Sequence, residues 1–223
     1  MSTQSALGLL GGTFDPIHHG HLRLGIEARQ RLGLGAVRLI PAGQPPHRAR
    51  PGTPAEHRLA MTELATCGLP GFEVDPAEVL SQQTSYTVAT LERLRKELGA
   101  MRPLVLILGA DAFLGLAGWH RWRELFGLAH IAVATRPGYV LADALYGGEL
   151  AEECPQRLAQ DVRILQSEPA GAIVPFTIPS LEISATLIRH ALAHDEDARF
   201  LLPPAVLDYI QAHHLYSHLP RTA

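Results

Sequence analysis

Two textures alternate along this chain. Short apolar runs closed by glycine, proline or a charge read as buried strands: 6–12 (ALGLLGG), 37–42 (VRLIPA), 72–80 (FEVDPAEVL, a strand and a turn), 102–111 (RPLVLILGAD), 131–138 (IAVATRPG), 161–166 (DVRILQ) and 172–178 (AIVPFTI). Between them the apolar positions take helical spacing. Leu22, Ile26 and Leu32 mark one helix, Leu59, Met61 and Leu64 a second over 55–66, and Val88, Leu91, Leu94 and Leu98 a third over 86–98, which Ser85 would cap. Two more helices, at 184–193 and 204–214, close the chain, and 139–160 reads as partly exposed helix. The run at 102–111 has no alternation, as a central parallel strand covered on both faces requires. The first strand, helix and strand form a βαβ unit with parallel strands. The expected fold class is therefore α/β, a Rossmann-like doubly wound, mainly parallel sheet with helices on both faces. Residues 1–223 read as one domain with a helical portion from about 184.

Composition narrows the setting. With 223 residues, 47% of them apolar, the chain can bury a core without metal or disulfide staples. Its net charge of −3 argues against nucleic acid or an anionic membrane surface as a general partner. The start, MSTQSALGLL, lacks a basic segment followed by a signal-length apolar core, and no apolar run approaches a membrane span, so a cytoplasmic location with no membrane is expected. Of 19 basic residues only Lys96 is a lysine, so any phosphate clamp must use arginine, histidine or backbone N–H groups. Cys67 and Cys154 show no metal-ligand spacing and read as buried thiols of a reducing compartment, their pairing left open. Nothing in the sequence chooses between monomer and homodimer.

In doubly wound sheets ligands sit beyond the carboxyl ends of the strands, and three such ends carry unusual residues. The first is Gly11-Gly12-Thr13-Phe14-Asp15-Pro16-Ile17-His18-His19-Gly20-His21. It is neither a GxGxxG fingerprint nor a GxxxxGK[ST] loop. Gly11 and Gly12 allow a phosphate close to the backbone, and His18 and His21, three apart at a helix entry, can both face one anion. Asp15 and the three histidines also suit a transition metal, although no fourth ligand stands at a usual spacing, and a purely structural capping role for His18 and His21 is the plainer alternative. The second cluster, Ile183-Ser184-Ala185-Thr186-Leu187-Ile188-Arg189, has Ser184 as cap, Ile183 and Ile188 at staple spacing, and Thr186 and Arg189 on one side of the first turns. The third, Gly109-Ala110-Asp111, ends the most buried strand; Asp111 either accepts ribose hydroxyls or caps the next helix. Beyond it Trp119 and Trp122 are either core or, for one of them, a platform for a flat heterocycle. The stretch 43–54 is proline-rich, carries Arg48 and Arg50, and is either a loop near the ligand or a solvated connector. No nucleophile elbow appears, which favours direct phosphoryl or nucleotidyl transfer.

GGTFDPIHHGHL resembles the HxGH signature of the nucleotidylyltransferase superfamily. With PPHR at 45–48, SYT at 85–87, LGAD…W…W at 108–122, ATRPG at 134–138 and ISATLIR at 183–189, the chain is most similar to the bacterial nicotinate-mononucleotide adenylyltransferases. The resemblance implies an adenylyl transfer from ATP to nicotinate mononucleotide in NAD biosynthesis, with Mg²⁺ accompanying ATP and no nucleic acid partner. It implies His18, His21 and Arg189 as catalytic, and Gly11, Gly12, Thr13, Phe14, Gly109, Asp111, Ile183, Ser184 and Thr186 around ATP. Thr87, Tyr86, Trp119, Arg48 and Arg136 would serve the mononucleotide, together with Gly12 and Thr13. Ala185 departs from the family's usual serine. A sibling transferase acting on nicotinamide mononucleotide or another phosphate acceptor, and a non-catalytic nucleotide sensor, are the competing readings.

Overall fold

The computed structural model describes residues 5–45, 52–81, 83–138, 141 and 148–217. Six parallel strands form one sheet: β1 (Leu7–Gly12), β2 (Ala36–Pro41), β3 (Phe72–Val74), β4 (Leu104–Gly109), β5 (His130–Thr135) and β6 (Ile173–Thr177). Their spatial order is β3-β2-β1-β4-β5-β6, so the direction of winding reverses between β1 and β4. The doubly wound parallel fold expected from the sequence is the one observed.

The unbroken apolar runs become intelligible in the sheet, where successive residues serve opposite faces. Along β4, Leu104, Leu106 and Leu108 pack on one face with Val88, Leu91 and Trp122, while Val105 and Ile107 pack on the other with Leu10, Ile188 and Val206. The first face is covered by α4 (Thr87–Leu98), α5 (Ala110–Leu114) and α6 (Leu125–Leu128). The second is covered by α1 (His19–Arg31), α2 (Ala55–Thr66), α9 (Ala185–Ala193) and α10 (Pro204–Ala212). Three short helices, α3 (Ala77–Leu80), α7 (Glu149–Glu153) and α8 (Ile164–Ser167), lie in the connections. Helix α4 starts at the carboxyl edge of the sheet and ends at the opposite edge. There the Arg95 guanidinium donates to the carbonyls of Leu128, Arg102 and Pro169 at 2.6–2.8 Å, and the neighbouring Lys96 is exposed.

Three expectations fail. Residues 161–166 are not a strand: Asp161 Oδ1 accepts the Arg163 N–H at 2.9 Å to make a turn, α8 follows, and only Leu165 of that helix is buried. Ser85 does not cap α4, whose cap position is Tyr86; its hydroxyl instead accepts the N–H groups of Gly43 and Gln44 at 3.0 and 3.2 Å. Cys67 is exposed at the end of α2, because the apolar face of that helix ends at Ala65 and Thr66; Cys154 is buried, and both are free thiols. Much of 139–160 lies outside the described residues. Among those described, no helix is long and apolar enough to cross a membrane.

Candidate active site

The β1–α1 loop lies at the point where the winding reverses. Phe14 and Ile17 anchor it, at 2% and 0% exposure. Phe14 holds φ 49°, in the left-handed region that a bulky side chain occupies only when its surroundings fix it there. Its ring lies against Gly12, where a Cβ would stand 2.6 Å from the ring, so the second glycine is a packing requirement. The Asp15–Pro16 peptide is cis. His18 enters α1 with extended backbone, and its N–H donates to His21 Nδ1 at 3.3 Å. A neutral His21 accepting at Nδ1 carries its proton on Nε2. The two imidazoles stack at 3.8 Å between centroids, and the edge of the Phe14 ring meets His21 at 5.0 Å.

Two cavities open on either side of this loop and share Gly11, Gly12, Thr13 and His21. The first, about 530 Å³, runs along the ends of β1 and β4 to Tyr86 and Thr87 at the start of α4, and to Asp111 and Trp119 beyond β4. The second, about 700 Å³, is walled by Asp15, Thr53, Ala185, Arg189 and Tyr216. Helix α9 enters beside it. Ser184 Oγ accepts the Leu187 N–H at 3.1 Å, which places Arg189 on the second turn. Arg189 donates to the Asp15 carbonyl at 2.7 Å and to Thr186 Oγ1 at 3.3 Å.

A family model described as cytidylyltransferase-like matches residues 9–191. A probable nicotinate-nucleotide adenylyltransferase of Dechloromonas aromatica is 57% identical over 94% of this chain and 97% of that relative. One from Acidithiobacillus ferrooxidans is 47% identical over 96% of this chain and 97% of its own. The chain belongs to the nicotinate-nucleotide adenylyltransferase family. It is thus a nucleotidyltransferase enzyme, with the general adenylyltransferase activity of NAD biosynthesis. At the level of fold it is similar to the Plasmodium falciparum nicotinic acid mononucleotide adenylyltransferase complexed with NaAD, with TM-score 0.69, 18% identity, and 95% and 97% of the two chains covered.

Within this family member the structure sorts the residues singled out by sequence. Gly11, Gly12, Thr13, His21, Tyr86, Thr87, Gly109, Asp111 and Trp119 line the first cavity. Asp111 is exposed and makes no cap, since α5 is entered through Gly109 without a side-chain bond. Trp119 borders the cavity whereas Trp122, 5% exposed, is core. Phe14 and Arg189 border the second cavity. Ser184 and Thr186 are exposed at the start of α9, and Ile183 is half-buried against the core that holds Ile188. Arg136 is exposed just past β5 and lines neither cavity, and Arg48 lies outside the described residues. His18 lines neither cavity but lies stacked on His21, 5% exposed, its Nδ1 buried without a hydrogen-bond partner. Burial, with His19 nearby, lowers the His18 pKa to about 4, so the ring is neutral at physiological pH.

Several side chains of the site carry no sequence signal. Arg58 of α2 is 1% exposed and Tyr216 follows α10; both converge on the β1–α1 loop. Glu78 borders the first cavity, where its Oε1 accepts the Thr90 hydroxyl at 2.5 Å. Burial raises the Glu78 pKa against the opposing bonds from Thr90 and Ser85. A glycine at position 43 makes this wall possible, because a Cβ there would stand 2.1 Å from the Glu78 carbonyl oxygen.

Proposed function

We propose that the enzyme transfers the adenylyl group of ATP to nicotinate mononucleotide, giving nicotinate adenine dinucleotide and pyrophosphate. The observation that carries this reading is the pair of cavities joined at Gly11, Gly12, Thr13 and His21. One has an aromatic wall and an exposed carboxylate suited to a ring and a ribose; the other has an arginine suited to a phosphate chain. The mononucleotide and the ribose of ATP would share the first cavity, and the phosphate chain of ATP would cross the shared loop into the second.

An oxygen of the mononucleotide phosphate attacks the α-phosphorus of ATP. The new P–O bond forms as the bond from the α-phosphorus to the bridging oxygen of the β-phosphate breaks, and pyrophosphate leaves in line. The attacking oxygen is already anionic, so no general base is needed, and catalysis rests on alignment and charge stabilisation. His21 would donate from Nε2 to a phosphate oxygen, and Arg189 would hold the leaving pyrophosphate. His18 would act behind His21 by fixing its ring. Trp119 would stack on the pyridine ring, Thr87 at the start of α4 would meet its carboxylate, and Asp111 would accept ribose hydroxyls.

Mg²⁺ would enter with ATP, held mainly by phosphate oxygens and water, and when bound it would neutralise phosphate charge.

The test is an acceptor panel of nicotinate mononucleotide, nicotinamide mononucleotide and pantetheine phosphate with ATP and Mg²⁺, quantifying pyrophosphate and the joined product. A strong preference for nicotinate mononucleotide is expected. Turnover with another acceptor alone would remove the substrate assignment, and no turnover with any would point to a nucleotide sensor.

A further inference from the structure

The loop Thr13–Asp15 is gripped by three side chains from distant parts of the chain. Arg58 donates from Nη1 to the carbonyls of Thr13 and Ala42 at 2.7 and 2.6 Å, from Nη2 to Gly43 at 3.0 Å, and from Nε to Thr53 at 3.3 Å. Every one of these acceptors is a main-chain carbonyl; Asp15 and Glu56 act on the guanidinium only through space. From the other side, Arg189 takes the Asp15 carbonyl at 2.7 Å, and the Tyr216 hydroxyl donates to Asp15 Oδ1 at 2.6 Å. Tyr216 reaches this point after α10 through a turn in which His214 and Tyr216 both hold positive φ, 52° and 64°.

A carbonyl oxygen turned toward a phosphate repels it, and one flipped peptide is enough to spoil an anion site. Tying the oxygens of Thr13 and Asp15 to arginines removes that freedom, and holding the Asp15 side chain keeps the acceptor of Arg189 in register. Thr13, Asp15, Thr53, Arg189 and Tyr216 all border the second cavity. We infer that Arg58 and Tyr216 are positioning residues that set the Thr13–Asp15 loop, and through Asp15 the Arg189 guanidinium, for the phosphate chain of the nucleotide. The inference rests on the proposed function for the identity of the ligand in this cavity.

Tyr216→Phe removes one hydroxyl and keeps the ring. Arg58→Lys keeps the charge but cannot span four carbonyls. Binding of magnesium pyrophosphate, read by calorimetry, should weaken roughly 3- to 10-fold in Tyr216→Phe and more in Arg58→Lys, the scale of one lost hydrogen bond and of several. In steady-state assays of Tyr216→Phe, whose partner Asp15 borders the second cavity and not the first, KM for ATP should rise while KM for the mononucleotide stays near wild type, a split that a general loss of folded protein would not produce. Should Arg58→Lys fail to fold, Tyr216→Phe alone decides. Wild-type pyrophosphate affinity in folded Tyr216→Phe overturns the inference, as does absence of pyrophosphate binding to the unaltered enzyme. Failure of nicotinate mononucleotide as acceptor would sink the functional reading instead and leave the calorimetric comparison intact.

Discussion

The rings of His18 and His21 lie face to face, 3.8 Å apart and 27° from parallel, yet only His21 borders the two cavities. The sequence spacing suggests equivalent partners for one phosphate; the structure sets them apart, and in the proposed mechanism His21 would be the contact and His18 its support. His21→Ala should therefore lower kcat by roughly 10²–10³, the scale of a lost preorganised donor, with a smaller effect on ATP binding. Steady-state kinetics on the folded variant, with ATP affinity measured separately, would reveal this; near-normal turnover would end the assignment.

The buried neutral His18 should also make the fold sensitive to acid. Its pKa is about 4 when folded and about 6.5 when unfolded, so between these values the unfolded chain binds more protons. Stability is then complete above about pH 6.5 and falls as pH drops towards 4; at pH 5 the loss from this residue is about 2 kcal/mol. His130, at the start of β5, accepts the Ala172 N–H at Nδ1; burial lowers its pKa against the opposing bond to the Glu168 carbonyl, and it adds in the same direction. Urea unfolding at pH 5 and 7.5 should show a smaller difference in His18→Asn than in the unaltered protein, and an unchanged difference would contradict the burial argument.

The two glycines that close β1 should part company on substitution. A Cβ at Gly12 meets the Phe14 ring, so Gly12→Ala should cost about 1–3 kcal/mol by overpacking. A Cβ at Gly11 meets nothing within 4 Å, and that residue borders both cavities. Gly11→Ala should melt with the wild type while raising KM. A Tm shift shared by both variants would refute this division.

The tryptophans make a similar pair. Trp122→Ala should lose about 3–5 kcal/mol of stability, as expected for a large aromatic removed from a core. Trp119→Ala should leave most of the stability and raise KM for the mononucleotide. Denaturant melts and KM values for the two variants would test the contrast; a larger stability loss at Trp119 would reverse it.

What the sequence made legible follows from what its residues pack against. Apolar runs such as 102–111 announce a strand because both faces of β4 are covered, and GGTFDPIHHGH announces a loop because its glycines and histidines break every periodic pattern. DVRILQ looked like a strand from composition alone. Its turn at Asp161 and the bridging of Gln166 to Ala6 N–H and the Gly33 carbonyl belong to tertiary structure. Arg58 was invisible for a related reason, since its partners are backbone carbonyls from separate loops and leave no trace in side-chain spacing. Ser85 and Tyr216 likewise acquire their partners only when loops far apart in sequence meet at the carboxyl edge of the sheet.

The position of Lys96 has a practical consequence. The chain's only lysine side chain is exposed on the last turn of α4, at the edge of the sheet opposite the cavities. Acylating reagents that target ε-amines therefore find no side chain to modify among the residues that line the site. A support or fluorophore coupled through Lys96 would leave both cavities facing solution, so immobilised enzyme can be interrogated with ligands in a defined orientation.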